Sequence, residues 1–401
     1  MNDLPAEISH ESSFLFVTGV ARSGTTLLTQ CLNHHPKIMC VGDAIDEFFR
    51  GFVHFAYFKI KSKKMDPLYP IDNFFFSGDV NVSNFIDCTD FKHEIPTFLR
   101  TRILERCIKR GGYFCPEIRI PLKNCKAARF DLLFVEIMKI FFHYYGKPSC
   151  GYYGLKVGFC EQMIAPLART FPNMKFILIL RDPRAIVSSN YFSGKCYPVF
   201  FNIRDWRKSV FYAWKYRNDP VLKARVIATK YENVVSSPEA TLKSLTRFLG
   251  LEYSMDMLNI NFKSANTSYD VGADVKCVSK DFQSRWRSML PAYLRSQVEM
   301  CCYPEMKMTG YGDYLPLPRD VFHFLLGFFK KTIPYKVLSD WCKKLLPPGI
   351  IYSTYWKACQ FVLEAKRFQM YKRGSDNLSK IKHFFYDPRY FRDLQNEKTV
   401  V

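Results

Sequence analysis

A three-layer α/β fold, with a central parallel sheet flanked by helices, is what the sequence predicts. Three observations predict it. Phe14–Val17 (FLFV) is a short apolar run that leads through a glycine loop straight into a helical pattern. Lys175–Leu180 (KFILIL) carries consecutive rather than alternating apolar residues, the mark of a parallel strand covered on both faces. That run is followed at once by helix-start chemistry, with Asp182 suited to an N-cap and Pro183 to the first helical position. Hydrophobic residues make up 48% of the 401, enough for a sizeable core and against global disorder.

The first strand–loop–helix unit, Phe14 to Cys31, organises the rest. Gly19-Val20-Ala21-Arg22-Ser23-Gly24 is the loop, and from Thr25 a helix places Leu27, Leu28, Cys31 and Leu32 on one face. A glycine loop before a helix N-terminus is an anion site, because the free N–H groups of the first turn and the macrodipole point at the ligand. The loop nearly matches G-x-x-x-x-G-K-[ST]: Gly19, Gly24 and Thr26 fit, but Thr25 stands where the lysine belongs. That lysine reaches the outer phosphates of a nucleoside triphosphate, so its absence argues against ATP or GTP hydrolysis. The cation is instead Arg22, whose fork geometry suits a phosphate or sulfate.

The remaining elements follow in order. Asn33-His34-His35-Pro36 stops the first helix, and Ile38–Val41 reads as a strand. It runs into an acidic cluster, Asp43, Asp46 and Glu47. Ligands of doubly wound sheets sit beyond the carboxyl ends of strands, so a carboxylate here is a candidate general base, although for any one of the three a solvated loop or helix N-cap role is the favoured reading. Phe48–Asp90 shows no clear period and reads as an insertion on the substrate side. Phe91–Arg110 and Ala127–Tyr145 read as helices, Tyr152–Val157 as a strand with Lys156 near its end, and Glu161–Thr170 as a helix. Lys175–Leu180 ends at Arg181-Asp182-Pro183-Arg184, with Ser188 and Ser189 two turns on. Arg181 there suits an anion or a neighbouring acid. Val226–Thr229 is a further strand leading to Tyr231-Glu232. Pro238–Leu249 is a helix with Ser237 before it and Gly250 after it. Lys263–Lys280 reads as a long loop, and Phe282–Leu294 as an amphipathic segment headed by Arg285, Trp286 and Arg287.

The motifs all fall within residues 1–315, expected to form one domain. Residues 316–401 hold sixteen Lys or Arg against seven Asp or Glu, with aromatic residues throughout. They read as a basic, mostly helical C-terminal extension that packs on the domain or contacts a membrane surface or acidic polymer. The net charge of +21 points to an anionic partner such as a nucleotide, an acidic glycan, a nucleic acid or a membrane surface. The 14 cysteines are scattered without C-x-x-C or zinc spacing and read as reduced packing residues. Met1–Ser13 is polar, with no signal peptide or anchor ahead of Phe14, so a soluble cytoplasmic protein is expected.

Taken together, Arg22-Ser23-Gly24-Thr25-Thr26-Leu27-Leu28 followed by His35-Pro36 resembles the 5′-phosphosulfate loop of the sulfotransferases. Phe176–Ser189 (FILILRDPRAIVSS) resembles their 3′-phosphate motif, and Tyr231-Glu232-Asn233-Val234-Val235 with Ser237-Pro238 resembles their third landmark. The similarity runs from about Phe14 to Tyr311 and lies closest to the tyrosylprotein and carbohydrate branches. It implies a P-loop-type fold and 3′-phosphoadenosine 5′-phosphosulfate (PAPS) as donor. The acceptor would be a hydroxyl or amine on a glycan, a tyrosine peptide or a small molecule, with no metal required. Nucleic acid is not expected as a partner.

Carried over by position, Arg22, Ser23, Gly24, Thr25 and Thr26 hold the 5′-phosphosulfate, and Arg181 and Ser189 hold the 3′-phosphate. The spacing of eight between these two favours Ser189 over Ser188. Tyr231 lines the nucleotide, and Arg285 takes the place of a basic residue near the 3′-phosphate. Asp43 stands seven residues after Pro36, where the tyrosylprotein branch has its glutamate base, with Asp46 and Glu47 as alternatives. Lys156 takes the strand-end lysine position and, with Arg22, stabilises charge on the departing oxygen. Two other readings stay open on sequence alone. One is a kinase-like phosphotransferase, against which the missing loop lysine counts; the other is a non-catalytic polyanion-binding protein.

Overall fold

The computed structural model describes residues 8–43, 45–61, 80–147, 150–192, 199–260, 281–312, 389–390 and 393. Five parallel strands form one sheet in the order β2-β3-β1-β4-β5. They are β1 (Phe14–Gly19), β2 (Ile38–Gly42), β3 (Tyr152–Lys156), β4 (Lys175–Leu180) and β5 (Val226–Lys230). β1 lies centrally, with Leu15 opposite both Gly154 of β3 and Lys175 of β4.

The helices between β1 and β3 are α1 (Thr25–Asn33), α2 (Asp46–Lys61), α3 (Val80–Cys88), α4 (Thr97–Phe114), α5 (Arg119–Lys123) and α6 (Phe130–Tyr145). Next come α7 (Ile164–Thr170), α8 (Pro183–Phe192), α9 (Val199–Arg217), α10 (Tyr231–Ser236) and α11 (Pro238–Leu249). Three more, α12 (Asp281–Ser284), α13 (Trp286–Met289) and α14 (Ala292–Met308), follow the last strand.

Strand alternation divides the core into two. Phe176, Leu178 and Leu180 of β4 face one cluster with Phe14, Phe16 and Leu155. Ile177 and Ile179 face the other with Leu15, Val17, Ile38 and Cys40. Helices α1 and α11 cover the second face through Leu27, Leu28, Leu242 and Leu245. The first face is thicker and aromatic, with Phe48, Phe49 and Phe52 of α2 among Phe91, Phe130 and Phe134. Phe52 meets Phe91 edge-on at 4.3 Å. Each of these side chains contributes roughly 1.5–3 kcal/mol when fully buried, so the expected three layers follow directly from the two-sided burial of the strands. Among the described residues no helix is long and apolar enough to cross a membrane. The described cysteines are free thiols, most of them buried.

Several elements differ from expectation for identifiable reasons. Helix α2 overlaps the stretch read as having no period; Asp46, Glu47, Arg50, His54 and Lys61 share one of its faces, but Asp46, Glu47 and His54 are buried, so that face is no solvent-facing stripe. The helix expected from Phe91 begins at Thr97, since Ile95 N donates to Ala128 O across an extended segment and Pro96 precedes the first turn. Helix α9 was not anticipated at all: Asp205, Trp206, Arg207, Lys208 and Ser209 are all buried, so its polar residues do not mark a solvent face. The amphipathic segment expected from Phe282 is interrupted, with α12 and α13 as single turns before Pro291 starts α14.

The loop expected over 263–280 lies outside the described residues, as does most of the expected extension over 316–401. Where the extension is described, it packs on α9. Tyr390 is buried against Phe211 and Trp214 at ring distances of 5.1 Å, and Trp214 Nε1 donates to Asp393 at 2.9 Å.

One position shows how tightly the sheet and its α1-side layer fit. A Cβ added at Gly154 would lie 2.1 Å from Cys40 Sγ on the adjacent strand. Gly154→Ala is therefore expected to cost ~1–3 kcal/mol of stability, the usual range for overpacking. Urea unfolding of the single variants and of Gly154→Ala/Cys40→Ala checks it: the cost of Gly154→Ala should shrink strongly when Cys40 is already alanine.

Candidate active site

The site is built where the helices after two neighbouring strands leave on opposite faces. The chain leaves β1 into α1 on one face and leaves β4 into α8 on the other, since Ala185, Ile186 and Val187 of α8 join the aromatic cluster. Adjacent carboxyl ends whose following helices diverge open a crevice, the usual ligand position in such sheets.

The β1–α1 loop lines one wall. Arg22 and Gly24 both have left-handed backbone, with φ of 69° and 96°. Such alternation turns successive N–H groups inward into an anion-binding nest. Gly24 is demanded twice, by its φ and because a Cβ there would lie 2.4 Å from the Tyr231 ring. Ser23 is fully buried, and its hydroxyl oxygen has no hydrogen-bond partner among the described residues. A buried orphan hydroxyl beside inward N–H groups fits a tetrahedral oxyanion. α1 begins directly behind the loop, with no acidic residue in its first turn to compete.

The end of β4 supplies the opposite wall. The Arg181 guanidinium lies 4.0 Å over the Tyr231 ring and donates through Nη1 to Arg22 O at 2.8 Å. Arg22 Nε in turn donates to Ser189 Oγ at 3.1 Å. The residues assigned to the two ends of a donor thus form one connected set. Arg181 does not take Asp182 as its partner: Asp182 is held by Arg184, whose Nη2 donates at 2.8 Å.

The third wall is the end of β2 and β3. Lys156 and Asp43 form an ion pair there, and Asp43 N donates to Lys156 O at 3.0 Å. Lys156 Nζ also lies 3.5 Å from Thr26 Oγ1, which links it to the phosphate loop. The Lys156 side chain is 7% exposed and that of Asp43 39%, so the carboxylate is the open member of the pair.

Asp46 and Glu47 point elsewhere. Arg110 pairs with Asp46 at 2.5 Å, and Arg106 pairs with Glu47 at 3.0 Å. Burial pushes the Asp46 carboxyl up to about 6 against the pull of Arg110 and Arg50. Arg285 stands at the start of α13, one residue before Trp286. Arg184 lies 4.1 Å over the Trp286 indole and also pairs with Glu299, and Arg287 and Arg295 each lie 5.3 Å from the same ring.

Three supporting residues escaped the sequence reading. Glu232 accepts from Asp182 N at 3.0 Å and from Tyr311 OH at 2.9 Å, and burial raises its pKa. Tyr311 O accepts from Arg184 Nη2 at 2.6 Å. Trp206 Nε1 donates to Arg181 O at 2.8 Å. The position of Glu232 beside Tyr231 was a usable signal, but nothing in the sequence links Tyr311 or Trp206 to the crevice. Among the described residues no cluster of His, Cys, Asp or Glu is arranged to hold a metal ion.

With this geometry in hand, comparison with known proteins is decisive. The Sulfotransferase family profile matches residues 15–255, more than half of the chain and all three walls of the crevice. The chain belongs to the sulfotransferase family. A putative protein-tyrosine sulfotransferase of Caenorhabditis briggsae is 22% identical over 258 residues, covering 63% of this chain and 70% of that one. Protein-tyrosine sulfotransferase 2 of Gallus gallus is 22% identical over 339 residues, 79% of this chain and 74% of that one. Carbohydrate sulfotransferase 3 of Tetronarce californica is 25% identical over 182 residues, 37% of this chain and 39% of that one.

The Gly24 contact gives a direct test of the sulfotransferase crevice. Gly24→Val is expected to abolish binding of adenosine 3′,5′-bisphosphate by driving the loop off Tyr231, with far-ultraviolet circular dichroism unchanged. Gly24→Ala should show a smaller loss in the same calorimetric titration.

Proposed function

We propose that this sulfotransferase moves a sulfuryl group from PAPS to an acceptor hydroxyl, with Asp43 as the general base. The observation that carries the reading is the joined set Thr26–Lys156–Asp43, which links the phosphate loop to an open carboxylate. Bound PAPS supplies an activated sulfuryl group on a phosphate leaving group. The left-handed loop, the Ser23 hydroxyl and the start of α1 suit its 5′-phosphosulfate. Arg181 and Ser189 suit the 3′-phosphate, Tyr231 lines the nucleotide between them, and Arg285 closes that side.

The roles follow from the chemistry each group can perform. Asp43 takes the proton of the acceptor hydroxyl as its oxygen attacks sulfur. Lys156, nearly buried, holds positive charge where negative charge develops on the departing oxygen, and Arg22 shares that task. Asp43 is preferred over Asp46 and Glu47 because those two are already engaged by arginines. Tyrosine residues of peptides and hydroxyls of glycans are the acceptor classes to test first, given what the named relatives act on. The basic extension over 316–401 is proposed to contact the acceptor or a membrane surface.

A labelled-sulfate transfer screen over tyrosine peptides, glycans and small phenols tests the reading, and no transfer to any of them with PAPS as donor would overturn it. In the acceptor that works, Asp43→Asn is expected to lower turnover by roughly 10²–10⁴, the worth of a positioned base. Glu47→Gln should do much less. If Glu47→Gln is inactive while Asp43→Asn turns over normally, the base is the wrong carboxylate.

Arg181→Ala is expected to weaken adenosine 3′,5′-bisphosphate by about one to two decades, the worth of a charge-assisted bond of ~1.5–3 kcal/mol. Adenosine 5′-phosphate should lose far less. Equal losses in calorimetry would remove Arg181 from the 3′-phosphate.

A further inference from the structure

Helix α9 bonds the end of β4 directly and reaches the root of the β1–α1 loop through the turn after β3. Trp206 Nε1 donates to Arg181 O at 2.8 Å, at the end of β4. Two residues on, Lys208 Nζ donates to Phe159 O at 2.8 Å, in the turn after β3. That turn is fastened to the root of the phosphate loop: Phe159 N donates to Gly19 O at 2.9 Å, and Cys160 N donates to Thr18 Oγ1 at 3.2 Å. Phe159 itself is left-handed, with φ of 64°, a conformation that a residue with a side chain keeps only where its surroundings enforce it.

The enforcement is a dense buried network. Lys208 pairs with Glu161 at 3.2 Å and lies 3.8 Å from Asp205. Ser209 donates to Glu161, and Tyr216 OH donates to Glu161 O at 2.8 Å. Burial alone would lower the Lys208 pKa, but Glu161 and Asp205 outweigh it and raise it, so the ammonium stays charged. Trp206 and Lys208 are 1% and 3% exposed, so neither meets a ligand in the crevice.

We infer that Trp206 and Lys208 are positioning residues that set the distance between the phosphosulfate loop and Arg181. The inference rests on the donor reading above and adds the part that makes one donor span both walls. One helix holds a carbonyl at the end of β4 and another in the turn fastened to Thr18 and Gly19, and so sets the separation of the two anion sites. A ligand that grips both sites gains from the second contact only when the spacing is right. A ligand that grips one site is indifferent to it. Loss of spacing therefore has its own signature, distinct from loss of stability.

Calorimetry of the full chain with adenosine 3′,5′-bisphosphate, adenosine 5′-phosphate and adenosine 3′-phosphate reads that signature. The wild-type chain is expected to prefer the bisphosphate over either monophosphate. Trp206→Phe keeps the ring and deletes the donor; it should narrow that preference by roughly five- to tenfold, the worth of one neutral hydrogen bond. The monophosphates should change by less than about twofold, since a one-site ligand does not register the spacing. Glu161→Gln/Lys208→Met removes both charges together, so neither is left buried alone, and should narrow the preference likewise. Tyr152→Phe deletes a buried bond to Leu249 O that lies outside α9 and its network, and should lower the melting temperature while leaving the preference intact.

Equal weakening of all three nucleotides in Trp206→Phe and in the double variant, or no change in either, would overturn the spacing role while leaving the donor reading in place. A wild-type chain with no preference for the bisphosphate would overturn the donor reading, and the inference with it.

Discussion

The guanidinium of Arg181 is stacked on Tyr231 and bonded to the carbonyl of Arg22, and through these two contacts it holds three segments together. It fixes the end of β4 against the loop after β1 and against the start of α10. Without it the left-handed Arg22 would lose the partner of its carbonyl, and Tyr231 would lose the cation on its face. The same ring limits what residue 24 can be, since it leaves no space for a Cβ there. The loop conformation, the choice of glycine and the placement of the aromatic ring are thus one constraint seen from three positions. An arginine suits this centre because its planar face stacks while its edge donates in fixed directions, which a lysine ammonium cannot do.

The acidic cluster after β2 shows how neighbouring carboxylates acquire different chemistry. Asp43 precedes α2 and stays open beside Lys156. Asp46 and Glu47 fall in the first turn of α2, where the helix buries them under Arg50, Arg106 and Arg110. Carboxylates there complement the helix dipole and anchor α4 to α2. A three-residue shift separates an exposed carboxylate from carboxylates committed to packing.

The sheet and the anion loops were legible in the sequence because their signals are local. Consecutive apolar residues in KFILIL, the glycine pair of the first loop and the Asp182-Pro183 helix start each act within a few residues. The resemblance then joined motifs that are far apart in the chain. What stayed hidden was built by burial. Helix α2 turns much of its polar face inward, with Asp46, Glu47 and His54 buried, and α9 buries Asp205, Arg207 and Lys208, so neither carries the solvent-facing polar stripe from which a helix is read. Tyr311 and Glu299 reach the RDPR segment only through the return of α14, and no spacing rule connects residues more than a hundred positions apart. The acidic cluster alone left Asp43, Asp46 and Glu47 open, and the resemblance favoured Asp43 by its spacing from Pro36; that arginines of α2 and α4 engage Asp46 and Glu47 was not visible in either.

The ring of Tyr390 and the carboxylate of Asp393 rest on Trp214 and Phe211, one to two turns along α9 from Trp206 and Lys208. Tyr390 and Asp393 therefore bear directly on the helix that also carries Trp206 and Lys208. A load applied at Tyr390 or Asp393 would reach that helix through Phe211 and Trp214. Residues 390 and 393 are thus a handle on the helix that bonds the Arg181 carbonyl, and a label attached at either position becomes an experimental variable in its own right.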